Sequence, residues 1–179
     1  QYCTKAFGGR GVLLSGVPGV APARVVVIGG GVSGSHAAEM AVGLRADVTI
    51  FERSVPRLRE LDQLFAGRAR VLFSSPQAIG AALEGADLLI GAVLIPGAAA
   101  PRVVTRAMLR RMGAGSVAVD IAIGQTGRDC DASGFGPRAR GQFEAAREGA
   151  SAGDHDVGFL VARAALAGGG VRGLGSGAE

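Results

Sequence analysis

Residues 24–52 run from Arg-Val-Val-Val-Ile through Gly29-Gly30-Gly31-Val32-Ser33-Gly34 and a helix-compatible stretch to Leu44, and then through Asp-Val-Thr-Ile-Phe to Glu52. The four apolar residues before the glycines suit a strand covered on both faces, and the acid closes a second such strand. Between the strands, the glycines at 29, 31 and 34 fit G-x-G-x-x-G: Gly29 for a tight turn, Gly31 so that the backbone can approach a ligand, and Gly34 so that helix and strand can pack closely. A strand, a turn, a helix and a parallel strand in this order demand a right-handed crossover. The chain is therefore expected to be α/β.

The same geometry has a chemical consequence. Free N–H groups at the start of the helix, where the helix dipole favours negative charge, suit a diphosphate. Glu52 lies 18 residues past Gly34, placed to accept hydrogen bonds from adenosine ribose hydroxyls and to repel a 2′-phosphate. The pattern predicts a cofactor, NAD rather than NADP. Glycine-rich turns also close strand–helix junctions that bind nothing; here the apolar strand before the turn and the acid after it favour the ligand. Arg53, directly after Glu52, is either a solvated surface residue or a reach toward a 2′-phosphate.

After residue 52 a β/α rhythm continues. Pro56 opens a helix with Leu58, Leu61, Leu64 and Phe65 at helical spacing, and Val71–Ser74 reads as a strand. Pro76 starts a short helix carrying Ile79 and Leu83; Asp87–Val93 and Ser116–Ile121 read as strands around a basic helix at Thr105–Met112. The expected fold is a doubly wound parallel sheet of Rossmann type with an irregular C-terminal tail, its ligand site outside the carboxyl ends of the strands. Three regions follow: a lead-in segment with a short extended ribbon at 1–23, a dinucleotide-binding domain at 24–123, and a Gly/Ala/Arg-rich tail at 124–179. In the tail no strand stands out, and Gln142–Arg147 and Val157–Ala167 are its helix-compatible pieces.

Composition narrows the function classes. Of 179 residues 48% are hydrophobic but only 4% aromatic, so the core must rest on aliphatic side chains. The net charge of +4 is spread among arginines with almost no aromatic residues between them, which argues against nucleic acid as a partner. Cys3 and Cys130 are too few and too far apart for a metal cluster, and His155 sits between two aspartates with no second His or Cys nearby, so no metal is expected. No run of 18 apolar residues predicts membrane insertion, and a cytoplasmic location is expected. The start at Gln1 leads us to expect a part of something longer.

The glycine pattern together with Gly8–Val20 (GGRGVLLSGVPGV), Ile90–Ala98 (IGAVLIPGA) and Val119–Ile123 (VDIAI) resembles bacterial alanine dehydrogenase, over about Gly8 to Ile123. The same fold family includes the soluble subunit of nicotinamide nucleotide transhydrogenase. The resemblance implies NAD(H) along the carboxyl edge of the sheet, with Val32 and Ser33 at the diphosphate, Glu52 at the ribose, Arg57 and Ser74 flanking the adenosine half, and Val93, Leu94 and Ile121 toward the nicotinamide. For the apolar three, packing at strand ends is the alternative reading. It further implies an activity, conversion of L-alanine, NAD and water to pyruvate, ammonium and NADH.

Departures from the pattern bear on catalysis. The family follows VDIAI with a catalytic aspartate, where this chain has Gly124, so no catalytic residue is assigned. The lysine, arginine and histidine that bind and protonate substrate in the family belong to an N-terminal substrate domain and have no counterpart here; the change of composition at 124 points to a truncated or reading-frame-altered product. Three readings follow: the cofactor-binding part of an alanine dehydrogenase-like oxidoreductase that needs a substrate domain or a homo-oligomer partner, a non-catalytic NAD-binding module, and a transhydrogenase-like soluble subunit.

Overall fold

The computed structural model describes residues 3–7, 9–93, 103–121 and 158–160. Its strands are β1 (Arg24–Ile28), β2 (Asp47–Glu52), β3 (Arg70–Phe73), β4 (Leu88–Gly91), β5 (Val117–Asp120) and β6 (Gly158–Leu160); its helices are α1 (Val32–Gly43), α2 (Val55–Phe65), α3 (Pro76–Leu83) and α4 (Arg106–Leu109). All neighbouring strands are parallel, in the order β3-β2-β1-β4-β5-β6. After β3 the chain crosses to the other side of β1, which puts the reversal of strand order between β1 and β4. That is where a cleft opens at the carboxyl edge of such a sheet.

Alternation along β1 divides the core. Val25 and Val27 join Ala38 and Ala41 of α1 and Leu61 and Phe65 of α2 on one face. Val26 and Ile28 meet Ile79 and Leu83 of α3 and Leu109 of α4 on the other. With both faces covered, the strands have to be apolar throughout, as the run Val25–Ile28 is. Small residues on α1, namely Gly34, Ser35, Ala38 and Ala41, are the ones it buries, so the helix lies close against β1.

Helix starts follow the cap chemistry. The Ser54 and Ser75 hydroxyls accept the N–H groups of Arg57 and Ala78, with proline in the first turn each time. Along α2, Leu61 and Phe65 are buried, Leu58 is half-buried and Leu64 is exposed, because Leu64 falls at the opposite margin of the stripe from Leu58. The basic helix expected over Thr105–Met112 is shorter, Arg106–Leu109. Arg111 and Met112 bond three residues back, to Met108 and Leu109, so the α pattern tightens before Gly113.

The expected ribbon is a small turn in which Val17 and Val20 exchange backbone hydrogen bonds around Pro18 and Gly19 (φ +87°). It is tied to the amino edge of the sheet: Arg10 N–H donates to the Gly115 carbonyl, and its guanidinium meets Asp87 at 2.8 Å. Asp87 also accepts the Arg24 N–H at 2.9 Å. Nearby, burial pushes the Cys3 thiol above its usual value.

Two readings of the tail are corrected: it carries a strand, and the strand falls within Val157–Ala167, read from sequence as helix-compatible, since Gly158–Leu160 pairs with Val117–Val119 of β5. Three residues show no periodicity that a sequence pattern could register, whereas the open edge of β5 offers unpaired backbone groups that such a segment satisfies. Gln142–Arg147, Cys130 and His155 lie outside the described residues.

Candidate functional site

Three glycines at the end of β1 have three different reasons to be glycine. Gly29 has φ +97°, and a Cβ there would come within 2.8 Å of the Ala92 carbonyl and 2.9 Å of the Val93 nitrogen. At Gly34 a Cβ would overlap the Gly29 carbonyl oxygen, so its absence lets α1 pack directly onto the turn. A Cβ on Gly31 would meet nothing within 4 Å. No contact among the described residues explains glycine at 31; what it leaves clear is the approach to the backbone from the cleft.

Gly31 caps α1 without a side-chain hydrogen bond. The N–H groups of Gly31, Val32 and Ser33 donate to no acceptor among the described residues. These are orphan donors of a helix start, gathered where the dipole is positive.

The end of β2 supplies the opposite charge. Glu52 Oε2 accepts the Gly30 N–H at 2.7 Å, while Oε1 accepts those of Arg53 and Ser54 at 2.7 and 2.9 Å. Three backbone donors thus fix the carboxylate, and Oε2 keeps acceptor capacity. No guanidinium pairs with it among the described residues. Arg57 instead donates from Nε to the Gly30 carbonyl at 2.7 Å and from Nη1 to Glu60 at 2.6 Å. Ser74 is anchored by its N–H on the Glu52 carbonyl at 2.9 Å.

These strand ends enclose a cleft of about 450 Å³ lined by Gly29, Gly31, Val32, Ser33, Phe51, Glu52, Arg53, Ser74, Ala92, Val93 and Val103. Eight of the residues singled out from sequence converge there: Gly29, Gly31, Val32, Ser33, Glu52, Arg53, Ser74 and Val93. Gly34 and Arg57 stand behind the turn, and Ile121, half-buried after β5 with its N–H on the Gly91 carbonyl, is not part of the lining. Leu94 and Gly124 lie outside the described residues. Sequence reasoning passed over Phe51, Ala92 and Val103. Phe51 and Ala92 adjoin chosen positions at strand ends, a signal that was available; Val103 follows a long connection and carries none.

Donors and acceptors in the cleft sort by position. Unpaired N–H groups sit at the glycine turn, a carboxylate and the exposed Arg53 lie at the β2 end, and Ala92, Val93 and Val103 form the apolar β4 side. Among the described residues no group of three His, Cys, Asp or Glu side chains is placed to hold a metal ion, and no helix is long and apolar enough to cross a membrane. An anionic diphosphate between a ribose and an aromatic amide ring matches this order of donors, carboxylate and apolar wall, so the residues present fit a nicotinamide dinucleotide.

Known proteins lead the same way. The family model of the alanine dehydrogenase/PNT C-terminal domain matches residues 1–135. Alanine dehydrogenase of Halomonas elongata is 58% identical over 123 residues, 69% of this chain and 33% of that protein, and the Bacillus subtilis enzyme is 54% identical over 127 residues, 71% and 34%. A solved L-alanine dehydrogenase superposes with a TM-score of 0.67 at 52% identity, covering 68% of this chain and 34% of that one. A transhydrogenase from Sinorhizobium meliloti gives 0.61 at 27% identity, over 87% and 43%. The chain thus spans about a third of the length of the alanine dehydrogenases it matches. Because that family model covers residues 1–135 of the 179, the chain belongs to the alanine dehydrogenase/PNT C-terminal domain family, as its NAD-binding domain.

Proposed function

We propose that the cleft seats NAD(H) with the diphosphate on the N–H groups of Gly31, Val32 and Ser33, the adenosine ribose on Glu52 beside Ser74, and the nicotinamide against Val93, and that the whole protein to which the domain belongs oxidatively deaminates L-alanine. The observation that carries this reading is the pairing of unpartnered N–H groups at the start of α1 with an un-neutralised, backbone-held carboxylate at the end of β2. A carboxylate held by three peptide N–H groups has lost the freedom to swing away, and it disfavours a 2′-phosphate by charge. Glu52 therefore favours NADH over NADPH.

When bound, the nicotinamide supplies the hydride acceptor or donor. This chain's residues orient it: the apolar side chains of Ala92, Val93 and Val103 exclude water from that end, and the glycine turn fixes the diphosphate. Among the described residues, the ionisable side chains lining the cleft are Glu52 and Arg53, both at the ribose end. Groups that bind an amino acid and move its protons are not among these described lining residues, so the reading assigns to this domain the seat of the cofactor and to another part of the protein the handling of substrate. A homo-oligomer or a separate substrate domain would supply that part.

Calorimetry of the purified chain with NADH and NADPH tests the proposal. The expected result is NADH binding with preference over NADPH. Equal or tighter NADPH binding would shift the ribose assignment from Glu52 to Arg53, and binding of neither would leave the glycine turn without a ligand.

A further inference from the structure

Arg53 is the first residue past β2, with an anchored backbone and an unpartnered side chain. Its N–H and that of Ser54 both donate to Glu52 Oε1, at 2.7 and 2.9 Å, so the chain turns about the carboxylate before Ser54 caps α2. From this fixed root the side chain stands exposed on the rim of the cleft, and no acceptor meets its guanidinium among the described residues. Other arginines find partners: Arg10 has Asp87, Arg70 has Asp47, Arg111 has Glu84, and Arg57 has Glu60 and the Gly30 carbonyl. Arg53 stands beside an acid that accepts its N–H and not its side chain.

Many surface arginines are merely solvated, but position sets this one apart. Among the described lining residues of the cleft, Arg53 carries the only positive charge and Glu52 the only negative one, and the two are consecutive. Three backbone N–H groups fix the Glu52 carboxylate, which takes the ribose hydroxyls in the nucleotide reading. A phosphate on the ribose 2′-oxygen would therefore lie against Glu52 and beside the side chain that follows it. Such a group carries roughly −1.5 to −2 charges near neutral pH. The carboxylate repels it, whereas a guanidinium holds it through paired N–H donors, and a nearby arginine is what accommodates that phosphate in dinucleotide-binding sheets. Glu52 and Arg53 thus pull in opposite directions on one substituent of the cofactor.

We propose that Arg53 is a specificity-determining residue: its guanidinium takes a 2′-phosphate on the adenosine ribose and lessens the penalty that Glu52 sets on NADPH, leaving NADH preferred by a smaller margin than the carboxylate alone would impose. The inference rests on the nucleotide reading and deepens it, since Glu52 gives the preference its direction and Arg53 limits its size. It also gives the guanidinium an acceptor that the described residues do not.

The test uses the full chain and two pairs of probes that differ by the 2′-phosphate alone: NADH with NADPH, and 5′-AMP with adenosine 2′,5′-bisphosphate. Wild type must bind NADH; if it binds neither NADH nor 5′-AMP, the nucleotide reading fails and this inference with it. In Arg53→Ala, with circular dichroism showing the fold retained, the affinity ratio of NADPH to NADH is expected to fall by about tenfold, and that of the bisphosphate to 5′-AMP likewise. A tenfold change is the low end for a charge-assisted bond, as suits an exposed arginine. Arg53→Lys, which keeps the charge but not the fork, is expected to recover part of the loss. Arg45→Asn, which removes an exposed positive charge just past the far end of α1, is expected to leave both ratios as they are. Where wild type holds the 2′-phosphorylated probes too weakly to measure, Arg53→Ala is made in Glu52→Gln, where the repelling charge is gone, and the same tenfold fall is expected. Ratios unchanged by Arg53→Ala would leave Arg53 a solvated residue or a general contact of the adenosine half, and overturn the proposal. So would an equal fall in Arg45→Asn, which would assign the effect to net charge. If Arg53→Ala fails to fold, Arg53→Lys and Arg53→Gln carry the same comparison of ratios.

Discussion

The two edges of the sheet use the same chemical groups to opposite ends. At the amino edge Asp87 accepts the Arg24 N–H and the Arg10 guanidinium, so backbone and charge are both satisfied and the lead-in ribbon is tied down. At the carboxyl edge Glu52 accepts three backbone N–H groups, but the nearby guanidinium of Arg57 goes to a carbonyl. One edge closes on itself. The other keeps a negative charge and a set of free donors a few residues apart, held in place by bonds that do not neutralise them. What separates a structural edge from a binding edge here is the partner each arginine takes, not which residue types are present.

The glycine turn gives the largest expected effects. Gly34→Val forces a side chain into the Gly29 carbonyl, and destabilisation by more than about 3 kcal/mol is expected, above the ordinary range for overpacking because the obstacle is backbone. Thermal unfolding followed by circular dichroism measures it. Gly31→Val, by contrast, places its side chain in open space. It should leave stability within about 1 kcal/mol, the range for a helix N-cap change, while weakening NADH binding by on the order of a hundredfold, about 2.7 kcal/mol. If both variants unfolded alike, the distinction between glycines needed by the fold and the glycine needed by the ligand would collapse.

Asp87→Ala tests the closed edge. It removes a mostly buried carboxylate that accepts both a backbone N–H and an arginine, and a loss of about 2 kcal/mol is expected, from one unsatisfied donor and one broken charge-assisted bond. Affinity for NADH should stay within about twofold of wild type, because the cleft lies at the far end of the strands. A matching fall in affinity would show that the edges are coupled through β1. At the binding edge, Glu52→Gln removes the charge and leaves one accepting oxygen where the carboxylate has two. The preference for NADH over NADPH should shrink by about tenfold, roughly 1.4 kcal/mol, and competition calorimetry reads it directly.

Much of this contrast was legible from the chain, for reasons that differ residue by residue. Val25–Ile28 and Glu52 could be read because strand burial and a glycine turn impose residue types at fixed spacing, and the helix starts at Pro56 and Pro76 because proline suits a helix's first turn. The grip of Arg57 on Gly30 could not, since the two are 27 positions apart and an arginine near the start of a helix looks the same whether it faces solvent or a carbonyl. Local text says equally little about the shortening of α4 or the pairing of β6, which depend on hydrogen bonds that three or four residues make with their surroundings. Leu64 shows the limit of periodicity itself: it recurs at helical spacing and is nonetheless exposed, because the stripe that β2 and β3 can cover is narrower than the stripe the sequence offers.

The smallest effect sharpens the comparison most, because it concerns a second ion pair on the closed edge. Arg70 at the start of β3 bonds both carboxylate oxygens of Asp47 at the start of β2, at 2.7 and 2.8 Å, which is better pairing geometry than Arg10 has with Asp87. Yet the side chains are 63% and 40% exposed, against 39% and 10% for the Arg10–Asp87 pair, and the Asp47 carboxylate caps no backbone donor among the described residues. Water solvates both partners once they part, so Arg70→Gln is expected to cost no more than about 0.5 kcal/mol, with the difference fading as salt is raised. Measured beside Asp87→Ala in one denaturant series, it separates two accounts of the amino edge. Costs of similar size would mean that charge pairing closes the edge. A cost several times smaller for Arg70→Gln would mean that the work is done by a buried carboxylate satisfying a strand's first N–H, which is also the way Glu52 serves the Gly30 peptide at the opposite end.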